Sequence, residues 1–565
     1  MSRAFYRSFV ALAAACVLAP ASLGAQQRDA SIARVTAAIR ASEIWGPLRF
    51  LSDDLLEGRG TGARGGELAV QYLASRFMAL GLEPAGDSGT YFQRVPIVAQ
   101  NPTATLEYTA GGPSRALRYR EDFVAWSEQV PPPLPSERPG APLSSSVEAT
   151  NELVFVGFGI AAPEWQWDDF KGVDVRDKIL LVLVNDPGLR DSTIFRGKTL
   201  TYYGRWTYKL EEAARRGARG VLLVHNDTMA TYGWNTVVNS WTGDQVRLLK
   251  PNTSLLWAGW ITQNAAAAML RDRDLDLPQL LGAAARRDFR PVSTGITVHG
   301  SVASAVRRTT TANVVARLPG SDPSLRNEVV VIGAHWDHHG IGRPVNGDSI
   351  LNGALDNASG VAAMLAVADA YVRAGVRPKR SLLFVGFTAE EKGLLGSQAF
   401  AENPPVPLRH IAAILNIDGA NLWGETRDIG ALGADQSSLG RTFERAARAE
   451  GLRVSVNREA LTSGGFFRSD HFPLAKVGVP GLSFQGGDDF EGRPASWGRE
   501  QRDEYNRLRY HQPGDEILPW YTVDGALRQA RVLARTAWLV GELPRQPVWG
   551  PASEFRTAGE RRLGR

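Results

Sequence analysis

Cysteine is almost absent from this sequence of 565 residues, which contains only Cys16. That cysteine lies in the apolar stretch at residues 9–18, after Arg3 and Arg7 and before the small residues of "ASLGAQ". This arrangement is typical of a secretory signal peptide cleaved after Ala25, and it is too short to span a membrane. We therefore expect a secreted or periplasmic protein without disulfides, whose stability must come from other sources, above all from its core.

A lipoprotein anchor at Cys16 is the alternative, and it is disfavoured because Ala13 stands where such sites prefer leucine. Long hydrophobic runs are missing after the first residues, so we expect no stable membrane insertion once the leader has been removed. A basic run with interleaved aromatic residues is missing too. The net charge of +5 and the pI of about 9.3 therefore indicate dispersed surface arginines and no nucleic-acid interface.

The fractions of apolar residues, 44%, and of charged residues, 22%, are ordinary for a globular protein long enough for more than one domain. Near the N-terminus, "GGELAVQYLASRFMALGLEP" predicts a helix that ends at a glycine and a proline. The apolar residues at helical spacing are Leu68, Tyr72, Phe77 and Leu80. The proline- and serine-rich stretch at residues 130–146 predicts a linker or long loop.

Two stretches alternate between strand-like and helix-like patterns. The first contains the strand-like "NELVFVGFGI", "KILLVLVNDP" and "VLLVHND" and the amphipathic "YKLEEAARRGARG", which predict a small α/β domain without clustered metal ligands. From residue 313 onward, "EVVVIGAHWD", "SLLFVGFTAEE", "HIAAILNIDG" and "VGVPGLSFQG" are apolar throughout, as in strands buried on both faces. We therefore predict an α/β fold with a mostly parallel twisted sheet flanked by helices.

Potential metal ligands follow three successive strands of this sheet. The first strand delivers His335 and Asp337, the second Glu390 and Glu391, and the third Asp418. Because open α/β sheets bind ligands at the carboxyl ends of their strands, we expect these side chains to converge on one crevice.

Two more candidate ligands are Asp356, just before a predicted helix, and His511, after a predicted charged loop. Two histidines with several carboxylates and no cysteine form a typical zinc site in hydrolases, and two zinc ions need a carboxylate between them. Adjacent glutamates at a strand end point in different directions. We therefore assign Glu391 as a metal ligand, and Glu390 as the general base that takes a proton from water and passes it to the leaving amine.

Several segments, in order, resemble the co-catalytic zinc exopeptidases of metallopeptidase family 28: "HWDHHGIG", "GALDNASGVAAM", "FTAEEKGLLGS", "NIDG", "RSDHFPLAKVGVP" and "YHQPGDE". The stretch that begins "LEGRGTGARGG" is similar to the N-terminal segment of that family. The resemblance implies the zinc exopeptidase fold with two zinc ions per chain. One zinc is held by His335 and Asp418, the other by Glu391 and His511, and Asp356 lies between them.

The resemblance also implies that the carboxylate of Asp337 orients the first histidine, that Tyr510 and Arg468 lie near the substrate, and that the peptide bond between Asp356 and Asn357 is cis. The sequence departs from the family at two positions, which leaves the substrate preference open. His339 stands where relatives often have an apolar residue, and Gly419 where many have a larger side chain.

Residues from about 151 to 300 resemble the smaller α/β protease-associated domain that is inserted in many of these enzymes. We expect this domain to restrict the mouth of the active site, with Trp234 and Trp241 in contact with peptide side chains. The expected division is a signal peptide at 1–25, the N-terminal part of the catalytic domain at 26–125, the inserted domain with its linker at 126–300, the catalytic domain at 301–545 and a C-terminal tail at 546–565.

The resemblance implies a secreted exopeptidase that acts on peptides, and it favours an aminopeptidase. A carboxypeptidase or dipeptidase of the same family stays open, as does a non-catalytic binding protein on this fold. Against the latter, Glu390 and every ligand position are filled, and the complete ligand set also argues against a single-zinc glutaminyl cyclase. "GDSG" at residues 86–89 is interpreted as a turn, and Asp470 and His471 as support for the pocket. The oligomeric state stays open.

Overall fold

The computed structural model of the chain describes residues 29–131, 143–250 and 253–565. The predicted signal peptide with Cys16 and most of the proline-rich stretch lie outside these residues. Within the described ranges, no helix is both long enough and apolar enough to cross a membrane.

The strands that precede the candidate ligands are neighbours in one large sheet. Val329–His335 lies in the middle and pairs in parallel with Ser381–Phe387 on one side and with Ile411–Ile417 on the other. Gly481–Gln485 adds a further parallel strand beside Ile411–Ile417. Every residue of the first three strands is buried, which explains their continuous apolar runs. The predicted mostly parallel sheet is confirmed in this half of the molecule.

The inserted unit, at about residues 151–300, belongs to the same sheet as the catalytic half. The two share one strand of 27 residues, Val292–Leu318. This strand pairs antiparallel with Ser381–Phe387 near one end and with Leu143–Phe155 near the other. Beyond Leu143–Phe155, the sheet continues in parallel through Ile179–Leu183 and Gly220–His225. A continuous hydrogen-bonded ladder therefore joins the inserted unit to the catalytic half.

The bounds of the elements complete the architecture. The strands are Glu83–Pro84, Phe92–Thr109, Arg115–Ala116, Phe123–Ser127, Leu143–Phe155, Ala161–Ala162, Trp167–Asp168, Ile179–Leu183, Gly220–His225, Gln245–Leu248, Trp257–Thr262, Val292–Leu318, Val329–His335, Gly340–Val345, Asp348–Leu351, Ser381–Phe387, Ile411–Ile417, Asp428–Leu432, Arg453–Val454 and Gly481–Gln485. Residues 29–38 are helical. The further α-helices are Ser42–Leu51, Arg64–Ala79, Trp206–Arg215, Asp227–Ala230, Trp234–Trp241, Gln263–Arg271, Leu277–Ala284, Gly360–Ala374, Leu395–Glu402, Leu439–Ala449, Arg458–Thr462, His471–Lys476, Trp497–Leu508, Asp524–Glu542 and Arg556–Arg562.

The predicted N-terminal helix is Arg64–Ala79, but its buried face differs from the expected one. Phe77 is buried, whereas Leu68 is 38% exposed. Its buried face combines other large apolar residues with glycine and alanine, and a Cβ on Gly66 would lie 3.0 Å from the ring of Trp336. Glycine thus lets this helix approach the segment that follows strand Val329–His335.

The C-terminal residues, expected as a tail, pack between the two units. Trp549 and Phe555 are buried against aromatic side chains of the catalytic half. Glu554 reaches the inserted unit, where one of its carboxylate oxygens accepts a hydrogen bond of 3.0 Å from the backbone N–H of Tyr202. The other oxygen is buried and has no hydrogen-bond partner within the described residues.

Glu554 is expected to make the stability of the protein depend on pH. Burial raises the pKa of its carboxyl group to about 8, so the folded protein holds this proton at pH values where the unfolded chain has lost it. Stability contributed by this proton is present at low pH and is lost as the pH rises from about 5 to 8. The Glu554→Gln variant stays neutral. We expect the free energy of unfolding of the wild type to fall relative to that variant by about 1–3 kcal/mol over this range.

Denaturant unfolding at several pH values measures this difference, with the surface substitution Glu560→Gln as the control. A difference between wild type and Glu554→Gln that stays constant with pH would contradict the assignment.

Candidate metal centre

His335 ends the central strand and points its Nε2 atom at two carboxylates. Its side chain is 1% exposed, and Nε2 lies 3.1 Å from Asp418 Oδ1 and 3.2 Å from Asp356 Oδ1. On the other side of the ring, Nδ1 lies 3.1 Å from the backbone oxygen of Asp337. This corrects the expectation for Asp337 in one respect, because its carbonyl rather than its carboxylate orients the histidine. The Asp337 carboxylate instead accepts hydrogen bonds from the backbone N–H of Glu390 and from Thr61.

Asp356 lies between two histidines, one at each carboxylate oxygen. While Oδ1 faces His335, Oδ2 lies 3.3 Å from His511 Nε2. The backbone N–H of Asp356 donates to the buried carboxylate of Asp515 at 3.0 Å, which fixes this segment at the start of helix Gly360–Ala374. The peptide bond between Asp356 and Asn357 is cis, which confirms that prediction. A carboxylate placed in this way has the geometry that a bridge between two cations requires.

Glu391 is surrounded by three histidines. Its Oε2 atom lies 3.2 Å from the Nε2 atoms of both His511 and His339, and its Oε1 atom lies 2.6 Å from His338 Nδ1. His511 follows the helix Trp497–Leu508, which replaces the charged loop expected there. The charges of that helix face solvent, since only Gly498 and Tyr505 in it are buried, and its sequence therefore lacks an apolar pattern.

Asp418 and Glu390 complete the other side of the centre. Asp418 follows strand Ile411–Ile417, and its Oδ2 accepts a hydrogen bond of 2.6 Å from Ser469. Atoms of His335, Glu390 and Asp418 lie within 4.8 Å of one another. Ala389, just before Glu390, has a φ of 52°, a left-handed turn that lets the two adjacent glutamates face different neighbours.

The carboxyl groups of the centre differ in proton affinity because their neighbours differ. Burial raises the pKa of Glu390 well above its usual value, and nearby carboxylates raise it further, whereas His335 acts in the opposite direction. Burial also raises the pKa of Glu391, but the surrounding histidines prevail and hold that pKa well below its usual value. Glu390 is therefore the carboxyl group best suited to hold a proton.

The donor atoms of this centre fit zinc. The Nε2 atoms of His338, His339 and His511 are buried and have no hydrogen-bond partner in the described part of the chain. Carboxylates gather around them without a lysine or arginine ion pair, so a bound cation would offset their mutual repulsion. Imidazole nitrogens and carboxylate oxygens without thiolates are the ligands of zinc in hydrolytic sites.

The remaining predicted site residues lie at the edge of this centre. Tyr510 is 46% exposed, and its ring stacks on that of His511 with centroids 3.8 Å apart. Arg468 is exposed and lines the cavities that adjoin Glu390. Gly419 has a φ of +81°, so the turn after the third strand requires glycine there.

The other interpretations of single segments have mixed outcomes. Residues 86–89 form a turn, as expected. His471 is buried, and neither of its ring nitrogens has a hydrogen-bond partner within the described residues. The expectation that Trp234 and Trp241 contact peptide side chains stays a prediction. Trp241 stacks on Trp126 with ring centroids 3.9 Å apart, and Trp206 is the tryptophan of that unit that lines the cavity beside the metal centre.

Arg59 binds the backbone of two segments that carry candidate ligands. Sequence patterns did not identify this residue. The side chain is fully buried, and burial lowers its pKa to about 10. Its guanidinium donates hydrogen bonds to the backbone oxygens of Trp336 at 2.7 Å and Gly353 at 3.0 Å, and also to those of Leu51 and Asn352. It thereby joins the segment after His335 to the segment before Asp356.

We expect Arg59→Met to lower both stability and zinc affinity. The substitution leaves buried carbonyl groups without donors and frees two ligand-bearing segments. We expect a loss of about 3–5 kcal/mol in unfolding free energy and about 10–100-fold in metal affinity. Denaturant unfolding and zinc competition with a chelator measure the two effects. Arg64→Met is the control. That side chain is exposed, and its ion pair with Glu57, at 3.5 Å, is a long one at the surface. Wild-type zinc affinity in Arg59→Met would contradict this role.

Comparisons with known proteins place the chain among peptidases. The model of peptidase family M28 matches residues 313–533. Leupeptin-inactivating enzyme 1 of Streptomyces exfoliatus is 30% identical over 234 residues, which are 40% of this chain and 48% of that protein. A probable zinc metalloprotease of Pyrenophora tritici-repentis is 26% identical over 269 residues, or 42% and 58% of the two chains. The chain thus spans about half the length of these curated relatives.

A probable leucine aminopeptidase 2 of Aspergillus oryzae is 29% identical over 215 residues, which are 37% of this chain and 40% of that protein. Among solved structures, the aminopeptidase from Aneurinibacillus sp. strain AM-1 aligns with 90% of this chain and 95% of its own, at 20% identity and a TM-score of 0.46. The segment that matches the model of peptidase family M28, residues 313–533, is thus also the segment that holds every candidate ligand from His335 to His511.

Proposed function

We propose that the protein is a secreted or periplasmic zinc exopeptidase that removes residues from the N-terminus of peptides. The observation that carries this proposal is the position of Asp356 between His335 and His511, with Glu390 beside them. The names of the relatives, which include a probable leucine aminopeptidase and zinc metalloproteases, support an aminopeptidase activity.

In the proposed site, His335 and Asp418 would hold one zinc ion and Glu391 and His511 a second, and Asp356 would contribute to both. Bound zinc would polarise the scissile carbonyl and lower the pKa of water.

Side chains of the protein transfer the proton and position the metal ligands. Glu390 takes a proton from the attacking water on its carboxylate and delivers it to the nitrogen of the leaving amine. The raised pKa of Glu390 suits a group that must hold this proton between the two steps. Ser469 fixes Asp418, and the Asp337 carbonyl keeps His335 Nε2 directed at the centre.

The domain division belongs to the same proposal. Residues 126–300 form the inserted protease-associated domain, flanked by catalytic residues 26–125 and 301–545, with a C-terminal segment at 546–565. A signal peptide at 1–25 directs export. The parallel strands Ile179–Leu183 and Gly220–His225 with the helix Trp206–Arg215 support an α/β unit in the insertion.

The test is an assay of the purified mature protein with zinc and after chelation. We expect hydrolysis of leucine p-nitroanilide and of peptides with a free amino terminus, loss of that activity on chelation and recovery with zinc. Cleavage of N-blocked peptides from their carboxyl end would indicate a carboxypeptidase instead. Binding of peptides without any turnover would indicate a non-catalytic protein.

A further inference from the structure

A cavity of about 440 Å³ lies between the two units beside the metal centre. Glu390 and Glu391 line it from the catalytic half. The inserted unit contributes Arg205 and Trp206, at the beginning of the helix Trp206–Arg215. The cavity therefore connects the reacting groups with side chains that belong to the inserted unit, and any substrate residue beside the scissile bond that enters it meets both.

Two guanidinium groups at this cavity have no anionic partner. Arg205 and Arg468 both line it, and no carboxylate of the described chain lies within ion-pair distance of either. The Nε atom of Arg205 is buried without a hydrogen-bond partner. The third cationic side chain at the cavity differs, because Lys476 is paired with Glu211 at 2.6 Å.

The two unpaired guanidinium groups repel each other. Burial, and then the positive charge of Arg468, lower the pKa of Arg205 to about 10. A cation removed from water without a counter-charge is unfavourable. An anion between the two groups would remove this cost and satisfy the unpaired donors of both.

We propose that this cavity binds a carboxylate of the peptide substrate between Arg205 and Arg468. Guanidinium groups match the planar geometry of a carboxylate and form strong charge-assisted hydrogen bonds with it. The rest of the bound residue would contact the apolar side chains of Trp206, Phe467 and Phe472, which also line the cavity. This inference rests on the proposed peptidase function and adds a substrate class to it.

Two sources of such a carboxylate are compatible with a position next to Glu390. One is the free carboxyl terminus of a dipeptide, and the other is an acidic side chain on the residue after the scissile bond. Both present the same chemistry to the two arginines, so matched ligand pairs are needed to separate them.

The experiment measures ligand binding by calorimetry on the zinc-loaded Glu390→Gln protein, because binding then needs no turnover. Leucyl-leucine is compared with leucyl-leucinamide, and leucyl-glutamic acid amide with leucyl-glutamine amide. We expect the carboxylate-bearing member of at least one pair to bind about 10–100-fold more tightly. The first pair reports the carboxyl terminus and the second the side chain. Adding Arg205→Met or Arg468→Met should bring that ratio close to one.

Arg190→Met is the matched control, because Arg190 is an exposed arginine of the inserted unit outside the cavity, and it should preserve the ratio. Arg468 is exposed and lies on a different element, so its variant keeps the test decisive if Arg205→Met fails to fold. Equal affinity within both pairs, or a ratio unchanged in both arginine variants, would overturn the carboxylate site. A preserved ratio in a wild-type protein that hydrolyses none of these peptides would count against the peptidase function alone.

Discussion

Glu390→Gln is expected to keep its zinc and to lose about 10²–10⁴-fold or more in kcat. The amide of glutamine has nearly the same shape as the carboxylate but cannot take a proton from water. The same group is assigned the return of that proton to the leaving amine, so one substitution removes both steps. Because Glu390 is next to the proposed metal ligand Glu391 and is not assigned as a ligand itself, metal content should change little.

Elemental analysis and steady-state kinetics on leucine p-nitroanilide test this result together. Glu67→Gln is the control, because it makes the same chemical change at an exposed position of the helix Arg64–Ala79. Near-wild-type turnover in Glu390→Gln would remove the assignment of Glu390. A loss of zinc equal to the loss of activity would show that it acts as a ligand.

Asp356→Ala is expected to lose most of its bound zinc, whereas Asp337→Asn should weaken binding by about 10–100-fold. The two residues are both buried carboxylates of one centre, but they face different groups. Each oxygen of Asp356 faces a histidine, His335 or His511, so its removal affects both proposed ions. The Asp337 side chain accepts hydrogen bonds from the Glu390 backbone and from Thr61, and asparagine keeps an acceptor oxygen there.

Zinc titration against a chelator of known affinity gives both values. Circular dichroism of each variant separates loss of metal from loss of fold. If Asp337→Asn released its zinc while Asp356→Ala retained it, the position of Asp356 between the two ions would be refuted.

The mostly parallel sheet and the candidate ligands at its strand ends could be predicted because the relevant signals are local. A strand buried on both faces appears as an apolar run, and the residue after it must lie at the carboxyl edge of the sheet. His335, Glu391 and Asp418 all follow this rule. Asp356 and His511 follow no strand, so the sequence offered them only as further candidates, and their roles came from the family resemblance.

The residues that hold the ligand-bearing segments in place could not be predicted from the sequence, because their partners are distant in the chain. Arg59 bonds to Trp336, 277 residues away, and no periodic pattern marks such a pair. Asp515 lies 159 residues from the backbone group of Asp356 that it holds. His338 and His339 were visible in the run "HWDHH", but only the folded structure shows that both reach Glu391.

The buried side of the helix Arg64–Ala79 shows a different limit. Hydrophobic spacing placed Leu68 in the core, whereas the structure buries Val70 and Leu73 together with glycine and alanine. Apolar periodicity identifies a helix well, but it can misplace the buried face when glycine and alanine, which allow close backbone approach, form part of that face.

The shared strand Val292–Leu318 has a consequence for how the protein unfolds. Its backbone groups pair with strands of the inserted unit along one stretch and with Ser381–Phe387 along another. If the inserted unit alone unfolded, the backbone groups of Val292–Leu318 that pair with Leu143–Phe155 would lose their hydrogen-bond partners. The proposed domain boundary at residue 300 lies within this continuous strand. We therefore expect the inserted unit and the catalytic half to unfold together, as one cooperative unit.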